Sequence, residues 1–523
     1  MVKESRGFVE NPHSISQDGN LKVAIEPISN PLNPFYSSSN SINLVSRLIH
    51  SSIFSRDENN EIVNDLAKEY WYENDGKTIA VVLKDDIKFG EDKSINAFHV
   101  ENTYKILAHK KYDGNFLSYV ENLKGFYPYK IGLSKDFQGI EVLGDKFIKF
   151  HFQKSDFSNI YSLTFPILDI SDNDVEEFDP KDFKEIEFKN GSGLYEVQDF
   201  DGGNIRLSCK KDLDNKFINN ILISMLNYRD ALDLYSNGSI DIVYKYDKTV
   251  SFENYYTKRA REYSYNIDNE ASTYKFIGFN KDSKIFTDKE MRRAFRDSID
   301  FKGIIESYYG KNIYTFRDIP IYKNSWFNSD VKYKKTNNLK ELLEKKYKMK
   351  DGFFVDENNE IVTIKLIVQA ENEFFQSISE RFISDIESFG VKLEIDYLSN
   401  IEMLEAVSEG KDFDIYISER YMTEIPRVTD EESFYTEDIY SITKETENIF
   451  PYLLNKIQND VEDPEIKYMS SEWKKFFEEN APYIVLAIKN KTTIVNKNIE
   501  GIYINEFLGL DNIENLKNIH FRD

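Results

Sequence analysis

The chain has 523 residues, of which 40% are hydrophobic and 30% charged, so it is long enough for two or three lobes with substantial cores. Its formal net charge of −24 would repel nucleic acid and anionic lipid, and no window approaches the ~18 apolar residues of a membrane-spanning helix. The single cysteine, Cys209, excludes an internal disulfide. These totals exclude a nucleic-acid-binding or membrane-spanning chain.

The first third of the chain alternates extended and helical patterns. Residues 1–19 are polar and typical of a flexible lead-in. Alternating apolar residues, turn signals and capping residues then predict strands at 21–25 and 78–83, helices at 41–52 and at 96–107 after the capping residue Asn96, and two strands around Gly144 within 140–152.

The middle of the chain carries one glycine pattern that needs interpretation. Gly191-Ser192-Gly193 is the start of a phosphate-binding pattern, but neither GxGxxG nor a P-loop follows it. We interpret it as a glycine turn that enters a strand. The predicted elements here are strands at 195–200 and 205–209, which form a hairpin, a strand at 221–225 and a helix at 229–237.

The most informative stretch runs from residue 273 to residue 310. Tyr274, Phe276 and Gly278 lie within a short aromatic run that predicts a mostly buried strand at 274–279. Thr287 and Glu290 have the spacing of a capping box, so a helix should start there. Its apolar positions at 291–299 define one helical face, and the opposite face carries Arg292, Arg293 and Arg296.

The last part of the chain predicts a βαβ unit. A strand at 362–368, a helix at 374–389 and a strand at 391–397 alternate at the spacing of a parallel pair with a crossover. A helix at 401–408 and a strand at 412–418 follow. Ligands bind at the carboxyl ends of parallel strands, so the loop expected after Ser418, from Glu419 to Glu424, is a candidate binding segment.

Six ordered motifs between residues 20 and 505 resemble those of extracellular solute-binding proteins of oligopeptide and dipeptide ABC importers, known as solute-binding protein family 5. The motifs are NLKVAIEPISNPLNPF at 20–35, the block 62–107, GSGLY at 191–195, ALDLYSNGSIDIV at 231–243, the stretch 279–300 and ENAPYIVLAIKN at 479–490. Two departures are Asn33, where the family usually has Asp, and Ile285, where it usually has Pro.

The resemblance implies an α/β protein with the two-lobe periplasmic-binding-protein type II (Venus flytrap) fold and the extra subdomain of the large peptide-binding cluster. It also implies a division of the chain. The expected segments are a lead-in at 1–19, a discontinuous lobe I at 20–55, 173–270 and 490–523, an extra subdomain at 56–172, and lobe II at 271–489.

The function implied is that of the substrate-binding component of an ABC importer, which captures an extracellular oligopeptide or related small solute in a cleft and delivers it to the membrane permease. Such a protein is not an enzyme, needs no cofactor or metal, and works as a monomer with permease and ATPase subunits. MVKESRGF has no apolar core of a signal peptide. The resemblance therefore predicts a removed N-terminal lipid anchor and a location on the extracellular face of the cell membrane.

The resemblance also nominates ligand-binding positions. Glu424, or else Glu419, would receive a cationic group of the ligand, and Arg420 would bind its carboxylate. The backbone of the strand at 274–279 would pair with an extended peptide, and aromatic residues would add stacking surface. The full set of candidates is Asn33, Phe35, Tyr36, Tyr274, Phe276, Gly278, Tyr416, Ser418, Glu419, Arg420, Tyr421, Thr423 and Glu424.

Several alternatives stay open from the sequence. The ligand could be a dipeptide, haem, a metal chelate such as a nickel complex, an opine or an oligosaccharide, and the protein could be a receptor that senses a peptide signal without feeding an importer. The most distant alternative is a glycosidase that uses a carboxylate pair. The six histidines form no HExxH or Cys/His metal motif, and no GxSxG elbow occurs.

Overall fold

The structure is a computed structural model, in which two compact units can be described. Of the described residues, the first unit contains those up to 269 and from 491 onward, and the second contains those from 270 to 421 and from 477 to 490. The described residues are 11–13, 20–36, 44–57, 61–114, 116–155, 157–210, 218–249, 262–280, 282–320, 338–421, 477–505, 509–510 and 512–521.

The first unit is organised around a mixed sheet whose central strand, Asn20–Ile25, is parallel to both of its neighbours. Alternate apolar side chains such as Leu21 and Val23 are buried because both faces of this strand are covered. The strands lie in the order Tyr195–Phe200, Asn204–Cys209, Asn220–Met225, Asn20–Ile25, Ile242–Asp247 and the carboxyl half of Tyr483–Asn496.

A second sheet of the first unit has its own hydrophobic core. Its four antiparallel strands are Ala67–Glu73, Thr78–Leu83, Phe147–His151 and Ile140–Gly144. The helix Ala97–Ala108 packs into the same core through residues such as Tyr104, and Asn96 caps it by accepting from the backbone N–H of His99. This sheet lies within the segment expected to form the extra subdomain, and the exact domain bounds stay a prediction.

The remaining elements of the first unit are short. Its other helices are Leu44–Ile49, Phe126–Lys130, Asp172–Glu176, Pro180–Phe183, Tyr228–Ser236 and Ile513–Asn518, with 3-10 turns at Pro34–Tyr36, Leu117–Tyr119 and Phe157–Thr164. Its other strands form two-residue or three-residue pairs: Phe54–Arg56 with Ile62–Asn64, Lys88–Phe89 with Lys93–Ser94, and Ile499–Glu500 with His520–Phe521.

The second unit contains the predicted βαβ arrangement. Thr363–Gln369 and Lys392–Leu398 are parallel over their whole length, and the helix Glu373–Ser388 connects them and packs on both. Thr363–Gln369 is also parallel to Ile415–Tyr421, which is antiparallel to the long strand Ser264–Phe279. The periodicity correctly located these elements because their apolar faces are buried in one core.

The second unit has several further elements. They are the helices Lys289–Ser298, Phe301–Tyr309, Leu339–Lys346 and Asn400–Glu409, and the strands Tyr314–Thr315, Lys348–Lys350 and Phe353–Val355. Within the described parts of both units, no helix is both long and apolar enough to cross a membrane.

Two local expectations were wrong. The last strand continues through Tyr421 instead of ending at Ser418, because Glu419–Tyr421 pair with residues 273–275. The helix of residues 289–298 is capped by Asp288, which accepts from the N–H of Glu290, and not by Thr287. The lead-in at 1–19 stays a prediction, and within its described residues His13 is 4% exposed and packs on Tyr235 with ring centroids 4.6 Å apart.

Candidate functional site

Two of the sequence-nominated segments are neighbouring strands. Residues 273–279 pair antiparallel with residues 415–421, so that Tyr274 lies opposite Arg420, Phe276 opposite Ser418, and Gly278 opposite Tyr416. Side chains that face each other across such a pair lie on the same face of the sheet. The register therefore brings six nominated residues onto one face, which we call the aromatic–arginine face: Tyr274, Phe276, Gly278, Tyr416, Ser418 and Arg420.

Aromatic rings form the base of this face. Tyr416 contacts Phe276 edge-on at 5.7 Å, and Tyr483 from another strand contacts Phe276 at 5.5 Å and stacks on Tyr274 at 6.0 Å between ring centroids. The hydroxyl groups of Tyr274 and Tyr483 are 3.3 Å apart. All four rings are buried to 5% exposure or less. Their first role in this structure is therefore to hold the face rigid.

Arg420 provides the positive charge of the face. Its guanidinium carbon lies 4.9 Å from the centroid of the Phe276 ring, a cation–π arrangement. Arg420 and Ser418 are half-buried, whereas the rings below them are buried. A planar guanidinium presents its N–H groups in a fork that matches a carboxylate, and stacking on a ring restricts its orientation. The arrangement can thus hold a carboxylate beside apolar surface.

Glu419 lies on the opposite face of the same strand. It forms an ion pair with Lys275, its cross-strand partner, and the Lys275 ammonium lies 5.2 Å from the centroid of the Phe374 ring. The side chain of Lys275 is 12% exposed and that of Glu419 is 34% exposed. The sequence nominated Glu419 and Arg420 together, but the alternation of a strand separates them onto two faces.

The backbone of this strand pair is already hydrogen bonded. Residues 273–279 use one edge to pair with residues 415–421, and the long strand that contains them lies between Ile415–Tyr421 and Tyr483–Asn496 in the sheet. The edge toward residues 415–421 is therefore taken up by the sheet. The expectation that an extended peptide pairs with this backbone is wrong for that edge. The sequence predicted the strand at 274–279 but not its pairing with residues 415–421.

The nominated residues at the start of the chain lie in a core of the first unit. Asn33 and Phe35 are fully buried, and Asn33 donates from its amide to the carbonyls of Phe183 at 2.8 Å and Ile186 at 3.2 Å. Tyr36 is half-buried, and burial followed by the nearby charge of Asp113 raises the pKa of its phenol. In this structure Asn33 and Phe35 stabilise the loop, and their contact with a ligand stays a prediction.

Three nominated residues are not fully covered by the structure. Tyr421 ends the strand opposite Thr273, but only its backbone is described. Thr423 and Glu424 lie outside the described residues. Their predicted roles, including that of Glu424 with a cationic group, stay predictions.

Comparison with known proteins identifies the family of this chain. The model of the bacterial extracellular solute-binding proteins, family 5, matches residues 61–437, which is most of the chain. The chain belongs to this family. Membership confirms the resemblance and the predicted type II fold of family 5, a family of substrate-binding proteins.

Individual relatives are distant in sequence. The oligopeptide-binding protein AppA of Bacillus subtilis (strain 168) is 22% identical over 95% of this chain and 91% of its own length. The structure of AppA with a nonapeptide aligns with a TM-score of 0.65 at 20% identity, covering 96% of this chain and 99% of that one. NikZ from Campylobacter jejuni, in complex with Ni(L-His), aligns with a TM-score of 0.62 at 18% identity, covering 96% and 99%.

One important residue of this family 5 protein was misread from the sequence. Arg292 was placed on the outer face of its helix, yet it is 4% exposed, and burial lowers its pKa to about 10. Its guanidinium donates to four backbone carbonyls, those of Phe286, Thr287, Asn480 and Ala481. The available signal was the match of Met291-Arg292 to a family motif, since the helical periodicity alone favoured solvent.

The described residues give no sign of a metal or phosphate site in this family 5 chain. They contain no group of three or more His, Cys, Asp or Glu side chains placed to hold a metal. The Gly191-Ser192-Gly193 turn packs on the end of the helix Leu44–Ile49, where Gly193 donates its N–H to the carbonyl of Ile49 at 2.6 Å. A Cβ at Gly193 would lie 2.5 Å from the carbonyl of Leu48, so close packing explains the glycine.

Proposed function

We propose that this chain is the substrate-binding component of an ABC importer and that it captures an oligopeptide, or a related small solute with a carboxylate. The observation that carries the proposal is the aromatic–arginine face, where Arg420 lies over Phe276 on strands paired in register. Family membership supplies the context, because the relatives with described ligands include an AppA bound to a nonapeptide and a NikZ bound to Ni(L-His).

The chemistry of the face suits the carboxylate end of a peptide. Arg420 offers a bidentate hydrogen-bonding fork, and Ser418 lies two residues earlier on the same face with a hydroxyl that can donate or accept. The aromatic base formed by Phe276 and Tyr416 offers apolar surface for a neighbouring side chain. A face of this kind binds through charge and shape, as a substrate-binding protein requires.

The finer parts of the proposal concern the setting of the protein. It would act as a monomer on the extracellular face of the cell membrane, held by an N-terminal lipid anchor, and would deliver its ligand to permease and ATPase subunits. A receptor for a peptide signal would share these features except for delivery. An uptake assay with labelled ligand in cells that lack the protein separates the two, because only the importer component is needed for uptake.

The ligand can be identified by native mass spectrometry of the purified protein, followed by calorimetric titration with the recovered compound. A bound mass that fragments into amino acids supports a peptide ligand. A bound metal chelate or oligosaccharide would instead identify that compound as the ligand. The same titration tests the site. Arg420→Ala should weaken binding roughly 10-fold or more, as expected for the loss of hydrogen bonds to a charged group.

A matched control is available in the same unit. Arg381 also lies over an aromatic ring, with its guanidinium carbon 4.1 Å from the centroid of Tyr308, but it is exposed on the helix Glu373–Ser388. Arg381→Ala removes a cation–π contact of the same kind, that with Tyr308, and leaves the aromatic–arginine face unchanged. Equal affinities of Arg420→Ala, Arg381→Ala and the unaltered protein would contradict the assignment of the site.

A further inference from the structure

A short helical segment of the first unit exposes an unusual amount of apolar surface. Tyr127 is 66% exposed, Ile131 47% and Leu133 79%, and Pro128 between them is also exposed. We call residues 127–133 the tip. Leu133 is the most exposed of the large hydrophobic side chains in the described residues. Exposing this apolar surface to water costs free energy, and a role in binding would explain why it is exposed.

The tip is held in place and is not a loose loop. Its helix, Phe126–Lys130, begins after Gly125 and is followed by Gly132, both with positive φ. On the inner side Tyr129 stacks on Phe137 with centroids 5.1 Å apart. Lys130 donates to the carbonyls of His109 at 2.9 Å and Tyr112 at 2.7 Å. The inner side chains therefore anchor the segment, and the apolar outer ones are presented outward by a fixed backbone.

The surroundings of the tip are basic although the chain is strongly acidic. Residues 105–135 contain six lysines and two acidic residues, in a chain of net charge −24. The exposed lysines are Lys110, Lys111, Lys124 and Lys135. A Cβ at Gly132 would lie 3.4 Å from the Cδ of Lys110, which places that lysine beside the tip.

The half-buried side chain of His109 lies among the same lysines. Burial, and after it the charges of Lys110, Lys111 and Lys130, lower the pKa of His109 to about 4. Lys111 is 3.6 Å from Asp179, an exposed pair that neutralises part of its charge. Asp136, which follows Lys135, is the nearest exposed acidic residue in sequence. The rim of the tip therefore keeps an excess of positive charge.

We propose that the tip inserts shallowly into an anionic lipid surface. The proposal goes beyond solute capture, since it assigns a membrane-contact role to the segment expected to form the extra subdomain. Apolar side chains with tyrosine at their edge and lysines around them are the combination that binds the headgroup region of a bilayer. Anionic lipid attracts the lysines while it repels the rest of a chain of net charge −24, so that charge also orients the protein.

Shape favours lipid over a protein partner. The exposed side chains stand on a short helical turn, with Leu133 only 21% covered by the rest of the chain. Such a turn needs a partner that deforms around it, as the acyl and headgroup boundary of a membrane does. Three apolar side chains and a few lysines give weak, reversible binding, comparable to a single lipid chain or less. The tip would thus act together with a lipid anchor and not in its place.

The test is sedimentation of residues 1–523 with vesicles of phosphatidylglycerol and phosphatidylcholine in equal amounts. Leu133→Asp and Ile131→Asp should each lower vesicle binding roughly ten-fold or more, since each replaces inserted apolar surface by a charge. The matched control is Ile361→Asp in the second unit, because Ile361 and Ile131 are both 47% exposed. Lys135→Glu tests the charge, with exposed Lys350→Glu of the second unit as its control.

The expected result is binding that requires phosphatidylglycerol, weakens with added salt, and is lost in the tip variants but kept in the two controls. Circular dichroism and thermal unfolding show whether each variant is folded. We expect all of them to fold, because the substituted side chains are exposed. Absence of binding to the mixed vesicles would overturn the proposal. Equal loss in the tip variants and the controls, or equal binding to vesicles of pure phosphatidylcholine, would overturn it as well.

Discussion

The ring of Tyr416 lies over Gly278 on the neighbouring strand, and its nearest atom is 2.2 Å from where a Cβ at residue 278 would be. Any side chain at 278 would have to push this ring out of the aromatic–arginine face. We expect Gly278→Ala to lower the free energy of unfolding by about 1–3 kcal/mol, as overpacking does. Denaturant unfolding measures it, with Gly144→Ala as the control, since nothing lies within 4 Å of a Cβ there.

Asn33 stands where relatives commonly have aspartate, yet we expect Asn33→Asp to destabilise the protein. The amide of Asn33 donates to two carbonyls, those of Phe183 and Ile186, and a carboxylate would face both with negative charge. Because the residue is fully buried, the free energy of unfolding should fall by about 2–3 kcal/mol. Thermal unfolding should show no comparable loss in Asn190→Asp, an exposed position. A stable Asn33→Asp with altered ligand affinity would instead support a ligand contact.

Elements with a strict repeat could be predicted from the sequence because burial on one face dictates the repeat. The predicted bounds of the strand Thr363–Gln369 and of the helix Glu373–Ser388 agree with the structure to within about one residue at each end. The continuation of the last strand through Tyr421 could not be predicted. Glu419 is a poor strand former, and the strand state of residues 419–421 depends on pairing with residues 273–275, which are distant in sequence.

The candidate site shows the same division. The structure brings the nominated residues Tyr274, Phe276, Tyr416 and Arg420 onto one face, and their contact with a ligand stays a prediction. Which of them share a face could not be derived, since this depends on the register between two strands that are more than a hundred residues apart. Arg292 is an example: helical periodicity favoured solvent, whereas its guanidinium donates to the carbonyls of Asn480 and Ala481, which are distant in sequence.

His50 should make the folded state sensitive to acid. It is fully enclosed, with Nε2 3.1 Å from the carbonyl of Phe188, and burial lowers the pKa of His50 from 6.5 to about 3. Between these values the unfolded chain binds a proton that the folded protein refuses, so stability falls as pH falls through this window. The contribution should be about 2 kcal/mol between pH 7 and pH 5.

The variant His50→Gln keeps an N–H donor and cannot be protonated. The stability difference between pH 7 and pH 5 should therefore shrink by about 2 kcal/mol in urea unfolding. Between pH 7 and pH 8.5, above the window, both proteins should show the same dependence. If the variant lost as much stability between pH 7 and pH 5 as the unaltered protein, protonation of His50 would not explain the loss of stability in acid.

Glu419 and Arg420 are adjacent in sequence but should differ sharply in their effect on ligand binding. Glu419 pairs with Lys275 on the face opposite Arg420, so Glu419→Gln should change ligand affinity by less than roughly 3-fold. Calorimetric titration with the ligand recovered from the protein measures this. Lys275→Met, which removes the other half of the pair, is the control and should behave in the same way.

The comparison decides which face of the strand binds. Because side chains alternate along a strand, a ligand on the aromatic–arginine face contacts Ser418 and Arg420 and cannot reach Glu419 without crossing the sheet. Ser418→Ala should accordingly weaken binding somewhat, and Arg420→Ala more. If Glu419→Gln weakened binding as much as Arg420→Ala, the ligand would have to contact the Lys275 side, and Glu419 would take the role of receiving its cationic group.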